Sequence, residues 1–274
     1  MDLHTEWLEY RSGSESLPAY LARPARVSAP LPAVLVIMEI WGPDTHIQDV
    51  ACRLATSGYV AVAPDLYARG GKRPAPLAVE RIEAVKAWSE SVSRSVWSNR
   101  AEREAALTKL PEPQRGQIAE TLGVLFDPKR PMDRYTADLR AAVEALHNHP
   151  AVRGQRVGAI GFCMGGALSA LLACSEASLA ADVIYYGASP TAQQAAGVRC
   201  PVLGIYGGDD ARITDGVPAF AEAMRAAGKS FEYHVYPGAP HAFFNDTRGS
   251  YHVHAARDAW ARTLGFFAKH LAAA

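Results

Sequence analysis

Several features that define whole classes of protein are scarce or missing in this chain. Its 28 basic and 28 acidic residues balance, so it lacks the positive excess that nucleic-acid binding requires. No apolar run approaches the ~18–20 residues of a membrane-spanning helix. The four cysteines lack the C-x-x-C spacing of metal and redox sites. A nucleic-acid-binding, membrane-spanning or disulfide-stabilised protein is therefore not expected.

The first residues also lack the basic and apolar segments of a signal peptide. Together with the scattered cysteines, this predicts a reduced, cytoplasmic setting. The length of 274 residues and the 49% hydrophobic content suit one α/β domain over 1–274, with room for an inserted cap. A monomer or a small homo-oligomer is expected.

Apolar strands alternate with helices along most of the chain. The run A-V-L-V-I-M-E-I over 33–40 is typical of a central strand buried on both faces. This alternation predicts a mostly parallel sheet covered by helices on both faces. A hairpin is predicted over 5–23, strands over 33–40, 59–63, 156–162, 181–186, 201–206 and 231–236, and helices over 45–57, 132–147, 166–177, 215–227 and 250–271.

One segment departs from this alternation. Residues 70–130 are polar, rich in arginine, glutamate and proline, and contain no strand candidate. Helices are predicted there over 79–96, 101–110 and 114–125. We interpret the segment as a helical cap inserted between two strand–helix units.

The segment G-F-C-M-G-G over 161–166 follows a predicted strand and opens a predicted helix. Gly161 and Gly165 flank Cys163 in the pattern of a nucleophile on a tight strand-to-helix turn. The turn would expose the sulfur and place the Met164 N–H where an oxyanion could be held. The alternative is a buried cysteine in a glycine-rich turn, since free cysteines are often core residues.

Two later strand ends supply partners for a cysteine nucleophile. Asp209 and Asp210 follow the strand over 201–206, and His241 follows the strand over 231–236. This is the nucleophile–acid–histidine order of hydrolases with such sheets. A turn aspartate and a loop histidine are the simpler interpretations of each residue alone. The agreement of residue type, order and strand-end position favours a triad.

Glu39 stands near the end of the otherwise apolar run over 33–40. A carboxylate beside an apolar core is costly unless it has a partner. Parallel strands bring their carboxyl ends to one edge, so Glu39 is expected near Cys163. A salt bridge or a loop-capping carboxylate is the alternative.

These segments together resemble the dienelactone hydrolases, cysteine members of the α/β-hydrolase fold. The resemblance covers nearly the whole chain outside the cap. It rests on the motifs I-M-E-I-W-G, A-P-D-L-Y-A-R, G-F-C-M-G-G, I-Y-Y-G, I-Y-G-G-D-D and Y-P-G-A-P-H-A-F.

The resemblance implies a role for each catalytic position. Cys163 is expected to be the nucleophile, His241 the base and Asp210 the acid that orients it. The backbone N–H groups of Ile40 and Met164 would form the oxyanion hole. Glu39 would interact with the resting thiol and release it when substrate binds.

The resemblance is less complete for substrate binding. Dienelactone hydrolases hold a substrate carboxylate with two arginines, and the resemblance matches Arg81 to one of them, with Trp88 behind it. Asn245 stands at the other position and is the substrate-binding candidate there, with Arg212 and Arg248 as alternatives. Tyr185 matches a pocket tyrosine, or is simply an aromatic residue at a strand end. The missing arginine and the long cap point away from dienelactone itself as substrate.

The sequence thus predicts a hydrolase of carboxylic esters or lactones that forms a cysteine acyl-enzyme. No metal and no organic cofactor are expected. Two other functions are weighed: a catalytically silent binding protein of this fold, and a thiol redox sensor. A sensor would need a resolving cysteine, and Cys174 is the nearest in sequence.

Overall fold

An eight-stranded sheet runs through the computed structural model, which describes residues 2–93, 96 and 99–272. The strand order is β1-β2-β4-β3-β5-β6-β7-β8; β2 is antiparallel to β1 and β4, and the other neighbouring pairs are parallel. The strands are β1 (Leu3–Ser12), β2 (Glu15–Pro24), β3 (Ala33–Ile37), β4 (Val60–Pro64), β5 (Val157–Phe162), β6 (Ala181–Tyr185), β7 (Val202–Gly207) and β8 (Phe231–Tyr236).

The central strands are buried on both sides. Every residue of β3, β4, β5 and β6 is buried. Successive side chains of a strand point to opposite faces, so both faces of the sheet must be covered. The cover is helical: α1, α5, α6 and α10 all pack against these strands. The helices are α1 (Thr45–Thr56), α2 (Val79–Ser91), α3 (Arg100–Leu107), α4 (Gln114–Leu125), α5 (Met132–Asn148), α6 (Met164–Ser175), α7 (Ala192–Ala195), α8 (Ala211–Thr214), α9 (Val217–Ala226) and α10 (Val253–Leu271), with a 3-10 turn at Ala75–Leu77.

The helices follow from local sequence signals. The Asp44 side chain caps α1 by accepting a hydrogen bond from the Ile47 N–H. In α5 the residues Leu139, Val143 and Leu146 recur at helical spacing and are buried, as the periodicity predicts. These signals come from neighbouring residues, so the helix bounds predicted from the sequence agree with the structure within about one residue.

The chain divides into two compact units. One comprises Met1–Leu66 with Met132–Ala274 and contains the sheet; the other is Tyr67–Pro131 and contains helices α2 to α4. The helical content of this inserted segment was expected, and its role as a cap stays a prediction. None of the described helices has the length and apolarity needed to cross a bilayer.

Three predicted elements end at least three residues earlier than expected, and one of them is the helix predicted over 101–110, which ends at Leu107. The strand over 33–40 ends at Ile37, although Met38, Glu39 and Ile40 remain buried. The chain stays buried after its strand hydrogen bonds end, so the apolar pattern overestimates the length of the strand. The helix predicted over 79–96 ends at Ser91, and residues 94 and 95 of that prediction lie outside the described part.

Candidate active site

Cys163 lies on a sharp turn between β5 and α6. Its φ of 55° and ψ of −114° are seldom adopted by residues with a side chain. Among the described non-glycine residues, positive φ also occurs at Tyr186 and at Ala242, the residue after His241. Such strained residues cluster at functional sites. The turn leaves Cys163 partly exposed.

Two glycines allow the turn to form. A Cβ on Gly161 would lie 1.9 Å from the Gly165 carbonyl oxygen, and a Cβ on Gly165 would lie 2.2 Å from the Ile37 carbonyl oxygen. Both distances are far inside van der Waals contact, and the obstacle in each case is backbone. The glycines are therefore required by the close approach of α6 to β5 and β3.

We expect Gly165→Ala to destabilise the sheet unit by about 1–3 kcal/mol or more, the range for an overpacked core. The new methyl group overlaps the β3 backbone, so β3 and the nucleophile turn must move apart. Thermal and urea unfolding measure the change. Gly265→Ala, on α10 with nothing within 4 Å of its added Cβ, is the matched control and should be neutral or stabilising. Equal stability of the two variants would contradict the explanation.

His241 and Asp210 form a hydrogen-bonded pair beside this turn. The His241 Nδ1 atom lies 2.5 Å from Asp210 Oδ2, and the Asp210 residue is only 7% exposed. Asp209, its neighbour in sequence, is exposed to solvent. The two members of the pair follow β7 and β8, whose carboxyl ends lie at the same edge as that of β5. This geometry favours Asp210 over Asp209 as the partner of the histidine.

Cys163 and Asp210 both influence the pKa of the His241 imidazole. Burial lowers the pKa of His241, but the charge of Cys163 and hydrogen bonds with Asp210 and Cys163 outweigh it and raise the pKa to about 10. Cys163 and Asp210 thus both interact with the His241 imidazole. A thiolate paired with an imidazolium is the arrangement that activates cysteine nucleophiles.

Glu39 is buried in the loop after β3, with 2% of its surface exposed. Its Oε1 accepts a hydrogen bond from the Tyr186 hydroxyl at 3.3 Å, and its Oε2 accepts one from Asn245 Nδ2 at 2.9 Å. Burial and then the charges of Glu39 and Cys163 raise the pKa of Tyr186 well above its usual value. Tyr186 therefore remains a neutral donor, and both carboxylate oxygens of Glu39 have a partner.

Of the two adjacent tyrosines at the end of β6, the second is the one that contacts His241 and Glu39. The Tyr186 ring packs edge-on against the His241 ring, with centroids 5.2 Å apart. Tyr185, which the sequence suggested for the substrate pocket, is fully buried, and its hydroxyl lies 2.8 Å from Thr263 Oγ1 on α10. This burial disfavours a substrate contact by Tyr185. Tyr186 was missed because the resemblance was matched to Tyr185, and nothing in I-Y-Y-G distinguishes the two neighbouring tyrosines.

The profile of the dienelactone hydrolase family matches residues 17–271. The chain belongs to the dienelactone hydrolase family. It is accordingly a hydrolase of the α/β-hydrolase fold.

Individual members of the family are similar over almost the whole chain. A Saccharolobus solfataricus protein named as a carboxymethylenebutenolidase is 33% identical over 258 residues, which are 94% of this chain and 95% of the relative. A Bradyrhizobium protein named as a 2-oxo-3-(5-oxofuran-2-ylidene)propanoate lactonase is 32% identical over 280 residues, 97% and 94% of the two chains. The crystal structure of a Klebsiella pneumoniae dienelactone hydrolase is 31% identical, with a TM-score of 0.73 over 98% of this chain and 100% of that one.

Two residues matched to the family's substrate contacts lie in the inserted unit. The Arg81 guanidinium donates to Glu120 Oε2 at 2.6 Å and to the Gln117 carbonyl oxygen at 2.8 Å. Trp88 is buried, with 5% of its surface exposed. Substrate contacts by Arg81 and Trp88 stay predictions.

Asn245 has a different environment from a substrate ligand. It is fully buried, its nitrogen donates to Glu39, and its Oδ1 accepts hydrogen bonds from the Thr247 N–H and hydroxyl at 3.1 and 2.6 Å. Ile40 follows Glu39, and Met164 opens α6; their role in an oxyanion hole stays a prediction. Among the described residues, no three His, Cys, Asp or Glu side chains group so that they could hold a metal ion.

Proposed function

We propose that the chain hydrolyses carboxylic esters or lactones through an acyl-enzyme on Cys163, with His241 as base and Asp210 as orienting acid. The observation that supports this most is the sequence of contacts from the strained cysteine turn through His241 to buried Asp210. A nucleophile, a base and an acid that orients the base are the groups that acyl transfer needs.

The proposed reaction begins with transfer of the thiol proton from Cys163 to His241. The sulfur attacks the carbonyl carbon, and the carbonyl electrons move onto oxygen to give a tetrahedral oxyanion. The backbone N–H groups of Ile40 and Met164 would stabilise it, and one such donor is worth about 3–4 kcal/mol in comparable sites. Collapse breaks the C–O bond, and the imidazolium protonates the leaving oxygen. In a lactone that alcohol stays attached to the acyl group.

Water completes the proposed cycle. His241 takes a proton from the water as its oxygen attacks the thioester carbonyl, and then returns the proton to the departing sulfur. Asp210 holds the imidazole in the tautomer that both steps require. No redox partner enters at any point, so atoms and charges balance with water as the co-reactant.

Small lactones are the first substrates to test, because relatives carry names of lactone hydrolases. A panel of lactones and of p-nitrophenyl esters should show turnover by the wild type. Intact-mass spectrometry after rapid quenching should find the acyl group, and peptide mapping should place it on Cys163. An adduct on Cys52, Cys174 or Cys200, or no hydrolysis across the panel, would overturn the proposal.

The redox-sensor alternative finds little support at Cys174. Burial, followed by the charge of Asp182, raises the pKa of the Cys174 thiol to about 12. A thiol that stays protonated attacks an oxidised partner poorly. Cys174 is thus a poor resolving cysteine for Cys163.

Glu39 is proposed to restrain the Cys163 thiol in the empty site, because a carboxylate nearby opposes a second negative charge. Glu39→Gln should therefore speed alkylation of Cys163 by iodoacetamide at neutral pH, by up to about tenfold. It should also impair hydrolysis if the carboxylate helps to position or activate the thiol. The measurement is the alkylation rate as a function of pH. Glu144→Gln, an exposed site on α5, is the matched control. An unchanged alkylation profile in Glu39→Gln would make Glu39 a structural residue only.

A further inference from the structure

The loop that follows His241 is connected side chain by side chain to the segment between β3 and the end of α1. Asn245 donates to Glu39, and Arg248 stacks over the Trp41 ring at 5.1 Å. Between them, Asp246 accepts a hydrogen bond from Arg53 of α1 at 2.6 Å. The loop carrying the base is therefore attached to the loop carrying Glu39 at several points.

From these contacts we propose that Asn245 is a positioning residue that fixes the Glu39 carboxylate beside Cys163, and is not a ligand for substrate. This rests on the proposed function, because it assigns Asn245 a role through the thiol of that same site.

The hydrogen-bonding capacity of Asn245 is largely used inside the protein. A side-chain amide has one oxygen with two lone pairs and two N–H donors. Thr247 occupies the oxygen twice, and Glu39 occupies one N–H. The side chain is also fully buried. A substrate ligand would need an accessible polar group, which this arrangement does not offer.

The same contacts fix which way the amide points. Thr247 supplies two donors, so the amide oxygen must face it, and the nitrogen must then face Glu39. The ion pair of Asp246 with Arg53 holds the next residue, so the backbone of Asn245 is also restrained. The Asn245 amide that donates to Glu39 is thus held in place by Thr247 and by the Asp246–Arg53 ion pair of the next residue.

Both side chains that donate hydrogen bonds to Glu39 are neutral. Tyr186 and Asn245 orient the carboxylate without cancelling its charge. Other ionisable groups in the contacting segments are His241 with Asp210, Arg248 over Trp41, and Asp246 with Arg53 and the buried His46. A carboxylate that loses a donor favours its protonated form, so losing Asn245 should weaken the restraint on the thiol.

The test measures thiol reactivity in the absence of substrate. Iodoacetamide alkylation of Cys163 is followed against pH in wild type, Asn245→Ala, Glu39→Gln and the double variant. Asn245→Ala should accelerate alkylation at neutral pH by about three- to tenfold, in the direction of Glu39→Gln. The double variant should be no faster than Glu39→Gln, because both changes act through one carboxylate. Asn148→Ala, at an exposed asparagine ending α5, should change nothing.

Kinetics on the substrate panel separate positioning from substrate binding. Asn245→Ala should change kcat by a similar factor for every substrate and leave KM within about twofold, because Asn245 makes its hydrogen bonds inside the protein and none to the substrate. A selective rise in KM for one substrate class, with unchanged alkylation, would overturn the proposal and restore Asn245 as a ligand. Additive alkylation effects in the double variant would also overturn it.

Failure of this inference is distinguishable from failure of the proposed function. Hydrolysis by the wild type tests the function, whereas alkylation tests the positioning without any substrate. If Asn245→Ala unfolds, Asn245→Asp keeps the shape and replaces the amide donor with a carboxyl group. The new carboxyl group should ionise as pH rises, and its negative charge should then keep the Cys163 thiol protonated to a higher pH and slow its alkylation. An alkylation profile identical to wild type would overturn the proposal.

Discussion

Cys163→Ala should lose hydrolysis of every ester and lactone that the wild type turns over, by about 10⁴-fold or more, as when other enzymes lose their nucleophile. The variant has no atom that can form the acyl-enzyme, whereas substrate binding is largely kept. Steady-state kinetics on the whole panel measure the loss.

The fold should survive this substitution. Cys163 is partly exposed on a turn, and alanine has the same backbone strain as cysteine at positive φ. Circular dichroism and the midpoint of thermal unfolding should therefore match the wild type. Cys52→Ala, at another partly exposed cysteine, is the control and should keep full activity. Wild-type turnover by Cys163→Ala would remove the cysteine acyl-enzyme from consideration.

Asp210→Asn should lower kcat by about 10⁴-fold, the loss seen when a histidine-orienting carboxylate becomes an amide. The amide that replaces the carboxylate is neutral, so it does not stabilise the positive charge that His241 gains during the reaction. Its NH2 group can also donate to Nδ1 and hold the imidazole in the wrong tautomer. Because Asp210 contributes to the raised pKa of His241, the pH profile of kcat/KM should also change.

Asp209→Asn is the matched control for that variant. Asp209 precedes Asp210 in sequence but is exposed, whereas Asp210 is buried against the imidazole. We expect Asp209→Asn to stay within about twofold of wild-type kcat, as a solvated charge contributes little. Reversed effects would identify Asp209 as the acid and would mean that the hydrogen bond to Asp210 has no catalytic importance.

The sequence predicts best what depends on neighbouring residues. Two glycines around Cys163 are sufficient to predict the turn, because the steric requirement is local. The alternation of apolar strands and helices predicts the sheet, because burial on both faces leaves a continuous apolar pattern. Glu39 is noticeable in sequence because a charge in such a run needs a partner.

The contacts of the site between distant segments could not be predicted in the same way. Glu39 is joined to Asn245, 206 positions later, through the packing of two loops, and no periodicity encodes that distance. The sequence also does not distinguish Tyr185, which contacts Thr263, from Tyr186, which contacts His241 and Glu39. Resemblance to the family suggested substrate contacts at Tyr185 and Asn245, but the packing gives these side chains partners inside the protein.

The left-handed backbone at Cys163, Tyr186 and Ala242 limits how the site can be re-engineered. Glycine is the residue that relaxes such a conformation, each instance of which costs of order 1–3 kcal/mol. At Cys163 and Tyr186 that exchange would delete the sulfur or the hydroxyl. Of these three positions, Ala242 is the one where glycine can relieve the strain without removing a functional group, so directed evolution toward thermostability can use it. Around the nucleophile, added stability must come from the surrounding sheet.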